Sequence, residues 1–113
     1  MESWGGIVMR LVVWNCWGGL TGDRAERLLA LRPDVAIVPE AGEVAAWPMG
    51  SGLASSGYEW QGEVQAKGLA VMTFGEWTLR RSAEPPRVPW VLPVHIDGPS
   101  PFRLLGIWTV QRP

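Results

Sequence analysis

The chain has 113 residues, ten Lys or Arg against eleven Asp or Glu, and 47% hydrophobic content. That length allows one domain at most with a modest core, and a formal charge of -1 gives no global electrostatic pull towards nucleic acid. Cys16 is the only cysteine, so no internal disulfide can form, and no apolar run long enough for a membrane span is present, which together favour a cytoplasmic protein.

Residues 1–8 read as an N-terminal extension, because Met9-Arg10 directly precedes the first strong strand. Residues 10–17, Arg-Leu-Val-Val-Trp-Asn-Cys-Trp, read as a buried strand whose far end turns polar at Asn15. Gly18-Gly19 breaks it. Residues 23–31 are strong helix formers with Leu28, Leu29 and Leu31 on one face, Asp23 or Thr21 as N-cap, and Pro33 as the stop. Residues 34–40, Asp-Val-Ala-Ile-Val-Pro-Glu, form a second apolar strand ending in a carboxylate. If the two strands run parallel, a right-handed crossover brings Asn15 and Glu40 to one edge of one sheet, where open α/β sheets gather ligands.

The remaining segments read as strands at 58–62, 68–74, 77–80, 91–96 and 102–109. Gly75-Glu76 is a turn, Pro85-Pro86 and Pro89 mark an irregular connection, and residues 97–101 join the last two strands as a hairpin. Strands at this spacing predict an antiparallel or mixed sheet.

Glu40 is the leading chemical candidate. A carboxylate at a strand end suits Mg²⁺, which takes one or two protein carboxylates and keeps several waters; the alternative is a cap on a helix beginning near Ala41, or a solvated acid. Asn15 lies in an otherwise apolar strand and needs hydrogen bonds if buried, either structurally or as a phosphate and metal-water positioner. Lys67, before Gly68, is either a solvated turn residue or a stabiliser of phosphate charge. His95, the only histidine, reads as a strand-face residue, and Cys16 as packing. The eight tryptophans read mainly as core or sheet-face filler, with Trp47, Trp60 and Trp90 open to a base-stacking role.

The run from Met9 to Trp17, with its strand ending in Trp14-Asn15, resembles the opening motif of the endonuclease/exonuclease/phosphatase, or DNase I-like, superfamily. Leu31-Arg32-Pro33-Asp34-Val35-Ala36-Ile37-Val38-Pro39-Glu40 is similar to the second motif, a Pro-Asp-led strand finishing in a metal-binding glutamate. Lys67-Gly68-Leu69-Ala70-Val71 resembles a strand of the bacterial members, and Leu104-Leu105-Gly106-Ile107-Trp108-Thr109 the strand before their long helix. The resemblance implies an α/β fold, the N-terminal portion of such a domain over residues 9–113, incomplete as a four-layered sandwich with a mixed β-sheet. It implies Mg²⁺ (with Mn²⁺ as a substitute) held by Glu40 and Asn15, catalytic roles for Asn15, Glu40 and Lys67, and a phosphoester substrate, nucleic acid being one class the family cleaves.

The later Gly-Asp-x-Asn and Ser-Asp-His motifs of that family are absent from the sequence, and Trp108-Thr109 stands where many members place a histidine. Two expectations follow: a metal-dependent phosphoester hydrolase lacking its later catalytic motifs, or a non-catalytic half-domain that forms a homodimer through an uncovered sheet face. No membrane partner is expected.

Overall fold

The computed structural model describes residues 8–15, 23–41, 55–64, 67–83 and 90–108. Along the chain the elements are β1 (Leu11–Val13), α1 (Asp23–Ala30), β2 (Val35–Ala41), β3 (Gly57–Val64), β4 (Lys67–Thr73), β5 (Thr78–Arg81), β6 (Val91–Asp97) and β7 (Phe102–Ile107). Among the described residues they build a predominantly β structure with one short helix. The expectations for residues 1–7, Cys16, Thr21, Trp47, Pro85-Pro86 and Pro89 lie outside the described residues.

Asp23 and Glu26 in the first turn of α1 and Arg27 in its last turn complement the helix dipole. Ala25 and Leu28, three residues apart, turn inward and are fully buried. Arg32 ends the helix in a left-handed conformation (φ 50°), and Pro33 follows. Arg10 clamps this end: its Nη1 donates to the Leu31 carbonyl and its backbone N–H to the Asp34 carboxylate, each at 2.8 Å. The Asp34 N–H donates back to the Arg10 carbonyl at 2.9 Å. The Pro33-Asp34 step therefore fixes where β2 begins beside β1.

β1 and β2 are parallel, with Leu11, Val12 and Val13 opposite Val35, Ala36 and Ile37. β4 pairs antiparallel with β2 on one side and with β3 on the other, giving a mixed four-stranded sheet of order β1-β2-β4-β3. β5, β6 and β7 form a separate antiparallel sheet in that order. The expectation of one sheet is corrected here: both edges of β4 are already taken, so β5 cannot continue that ladder. The Gly75-Glu76 turn (Gly75 φ 64°) carries the chain into a second layer instead.

The two sheets pack face to face. Val35, Ile37, Leu69 and Val71 of the first meet Leu92, Val94 and Ile96 of the second, with Trp77 between them. On the opposite face of the first sheet, Leu28 of α1 packs on Ala36, Val38, Ala41, Ala70 and Met72. The layering is helix, four-stranded sheet, three-stranded sheet. Polar bonds tie the layers together. Gln61 Nε2 donates to the Val91 carbonyl at 3.1 Å, and Arg81 Nη2 to the Trp60 carbonyl at 2.6 Å. Thr73, fully buried, has its hydroxyl 3.2 Å from that of Ser56, which also donates to the Trp77 carbonyl.

The second sheet does not reach over β1. Leu11 and Val13, on the face that Val35 and Ile37 bury, are 44% and 62% exposed. Leu105 and Ile107, on the outer face of β7, are 59% and 56% exposed. Among the described residues, no helix is long and apolar enough to cross a membrane.

Candidate functional site

Three strand termini meet at one edge of the four-stranded sheet. Extension of the parallel register, continued by the Trp14 N–H donating to the Ile37 carbonyl at 3.0 Å, carries Asn15 to the C-terminal tip of β1 beside that of β2. Glu40 stands at that second tip. Because β4 is antiparallel to β2, its first residue, Lys67, starts at the same edge, next to the Gly68 that pairs with Ala41. All three sequence-derived candidates thus share one edge. Asn15 is exposed and Glu40 partly buried.

Glu40 has the most distinctive backbone of the three. It is the unpaired residue of a β-bulge: Pro39 pairs with Leu69, Ala41 with Gly68, and Glu40 is skipped. Its φ of 58° is left-handed, a region that non-glycine residues enter rarely and at a cost of about 1 kcal/mol or more. The bulge resets the side-chain alternation of β2. Ala36 and Val38 face the helix layer, so an unbroken strand would send Glu40 there too. Instead Ala41 occupies that position, fully buried, and the carboxylate is spared the core. Ala41 itself is the last residue of β2, and the segment after it, where the alternative of a capped helix near Ala41 would fall, lies outside the described residues.

The bulge is held from outside. Trp60 Nε1 donates to the Ala41 carbonyl at 2.9 Å. The Trp60 indole crosses β4 at Gly68, where an added Cβ would lie 2.5 Å from Trp60 Cζ2 and 2.6 Å from the Gln61 carbonyl oxygen. Only glycine lets the ring approach that closely. Trp60 is therefore a packing and positioning residue here, and Trp90 is edge-on to Trp108 with centroids 4.9 Å apart. Sequence reasoning left Trp60 open to base stacking and named Gly68 only as the neighbour of Lys67. What it missed was their contact: Trp60 pairs with Ala70, and Gly68 lies two residues along β4 on the same face, a diagonal neighbour that only the strand register reveals.

Among the described residues, no group of three or more His, Cys, Asp or Glu side chains gathers as a metal cage. A zinc site needs three or four such ligands. Mg²⁺ needs only one or two carboxylates with waters and a substrate oxygen filling the rest, so one carboxylate and one amide oxygen at a solvent-facing edge fit Mg²⁺ in chemistry and number. Asp34 is already committed to the Arg10 N–H and Glu59 to Arg81 at 3.4 Å. His95 lies on β6, in the other sheet, half-buried on its outward side.

Comparison with family models, curated proteins and solved structures finds no match to this chain.

Proposed function

We propose that this chain carries the metal-binding corner of a divalent-metal-dependent phosphoester hydrolase of the DNase I-like type, without that family's later motifs. The observation that carries this reading is the left-handed bulge at Glu40, which holds a carboxylate at a shared strand edge beside Asn15 and Lys67. Bulges re-aim side chains next to active sites, and strained backbone persists where surrounding contacts enforce it. Here those contacts come from Trp60 and Gly68.

In this reading Glu40 and Asn15 would hold Mg²⁺, the first through its carboxylate and the second through its amide oxygen, and the Asn15 NH₂ group would donate to a phosphoryl oxygen. Bound there, the metal supplies charge stabilisation for the phosphoryl oxygens and activates water. Lys67, whose backbone starts β4 at the same edge, is the third candidate, its proposed role being to steady phosphate charge. The family's second acid and its histidine base are absent from the sequence, so the chain's own residues account for binding and charge stabilisation better than for activation of water.

The test is Mg²⁺- and Mn²⁺-dependent hydrolysis of bis(p-nitrophenyl) phosphate and of plasmid DNA, with Mg²⁺ binding measured separately by calorimetry. Glu40→Gln is expected to remove both binding and turnover. Turnover that survives in Glu40→Gln sinks the assignment.

A specific observation also favours the second reading, a non-catalytic half-domain that dimerises. Leu11 and Val13 lie bare on the inner face of the first sheet, and Leu105 and Ile107 on the outer face of the second. Light scattering distinguishes the readings: a defined dimer without metal-dependent hydrolysis supports the module.

A further inference from the structure

The outer face of the three-stranded sheet carries a row that the Glu40 edge does not use. Arg80 of β5 sits directly opposite His95 of β6, and His95 directly opposite Arg103 of β7. Leu92, Val94 and Ile96 fill the inward positions of β6, so His95 and its two cross-strand partners face away from the core. Adjacent strands are about 4.8 Å apart, which sets two guanidinium stems about 10 Å apart with an imidazole between them.

The acid that touches the row is Asp97, whose Oδ2 lies 3.6 Å from Arg80 Nε, with both side chains about half exposed or more (47% and 64%). Such a long, solvated contact holds Arg80 loosely. Arg103 and His95 have no ion-pair or hydrogen-bond partner among the described residues. The three side chains help line an open depression of ≈ 220 Å³, together with Ile96, Asp97, Pro101 and Phe102.

We propose that this row binds the phosphate group of a small, soluble phosphomonoester. Two guanidinium forks and an imidazole approach from three strands, which matches an acceptor with three terminal oxygens better than a planar carboxylate with two. Asp97 competes with the ligand for Arg80, so occupation separates the Asp97–Arg80 pair. The row lies on the other sheet from the Glu40 edge, so phosphate binding there is read separately from hydrolysis.

The test is a titration of the ¹⁵N-labelled chain with inorganic phosphate at constant ionic strength, with chloride as control. Saturable shifts are expected in β5, β6 and β7 around Arg80, His95 and Arg103. Arg103→Gln is expected to weaken binding about tenfold, the loss of one charge-assisted phosphate contact. Asp97→Asn is expected to strengthen it about threefold by releasing Arg80. Both positions are solvent-facing, and the dispersion of the same spectra verifies folding. Shifts that grow linearly and match chloride, or equal affinities in wild type and Arg103→Gln, overturn the proposal. Dimethyl phosphate, a monoanionic diester, is expected to bind more weakly, and equal binding overturns the monoester assignment. Vesicles of phosphatidic acid in phosphatidylcholine are expected not to sediment the chain; Arg103-dependent sedimentation would overturn the assignment to a soluble ligand in favour of a lipid headgroup.

Discussion

The two sheets bury their strands differently, and the difference is written in their side-chain periods. β2 is covered on both faces, by α1 and by the second sheet, and five consecutive residues from Val35 to Pro39 are buried. β6 is covered on one face only, and its residues alternate between buried and half-buried along its whole length. A continuous apolar run signals a strand between two layers, and strict alternation signals a strand with one face in water. The polar edge that gathers Asn15, Glu40 and Lys67 belongs to the sheet that holds the doubly covered β2. The cationic row of Arg80, His95 and Arg103 belongs to the singly covered one.

The largest effects come from asking whether the two layers differ energetically as they do in burial. Leu69 is fully buried between the sheets, whereas Leu105 is 59% exposed on the outer face. Leu69→Ala is expected to destabilise the chain by about 3 kcal/mol in urea unfolding, through lost transfer energy plus the cavity. Leu105→Ala is expected to change stability by no more than about 0.5 kcal/mol. A large, concentration-dependent loss in Leu105→Ala would show that a second copy covers that face, collapsing the comparison. Next in size is Gly68→Ala, which forces a methyl group into the Trp60 ring and the Gln61 carbonyl. Its expected cost is about 2 kcal/mol, the usual scale of overpacking, and the Trp60→Phe background should relieve part of it.

Much of the element order was legible because its boundaries are chemical. Pro33 follows the left-handed Arg32 that closes α1, Asp34 immediately precedes β2, and the Gly98–Pro101 segment closes the β6–β7 hairpin, all local signals. The division into two sheets was not legible. Gly75-Glu76 looks like a hairpin turn between consecutive strands, yet β5 pairs with β6 and not with β4. Local sequence encodes the turn; which strand edges are vacant is a property of the assembled sheet. The candidate edge was legible to the extent that strand tips follow from a parallel crossover, which placed Asn15 and Glu40 together. The bulge at Glu40 was not, since Pro39-Glu40-Ala41 holds no glycine or asparagine to announce a left-handed residue.

That bulge permits a prediction of opposite sign, and a smaller one. Left-handed φ at a residue with a Cβ costs about 1 kcal/mol or somewhat more, and glycine escapes that cost while losing more chain entropy on folding. The net expectation for Glu40→Gly is a gain of about 0.5 kcal/mol in stability. Glu40→Gln keeps the Cβ and the same backbone strain, so its stability should match the parent. If the carboxylate is placed there for a ligand, the two variants lose Mg²⁺ binding alike and differ only in their unfolding midpoints, a pattern that separates backbone strain from the chemistry of the side chain. A Glu40→Gln variant less stable than the parent would mean that the carboxylate itself supports the fold. The strained conformation would then be a structural adaptation that keeps a charge out of the helix-side core while Ala41 fills it.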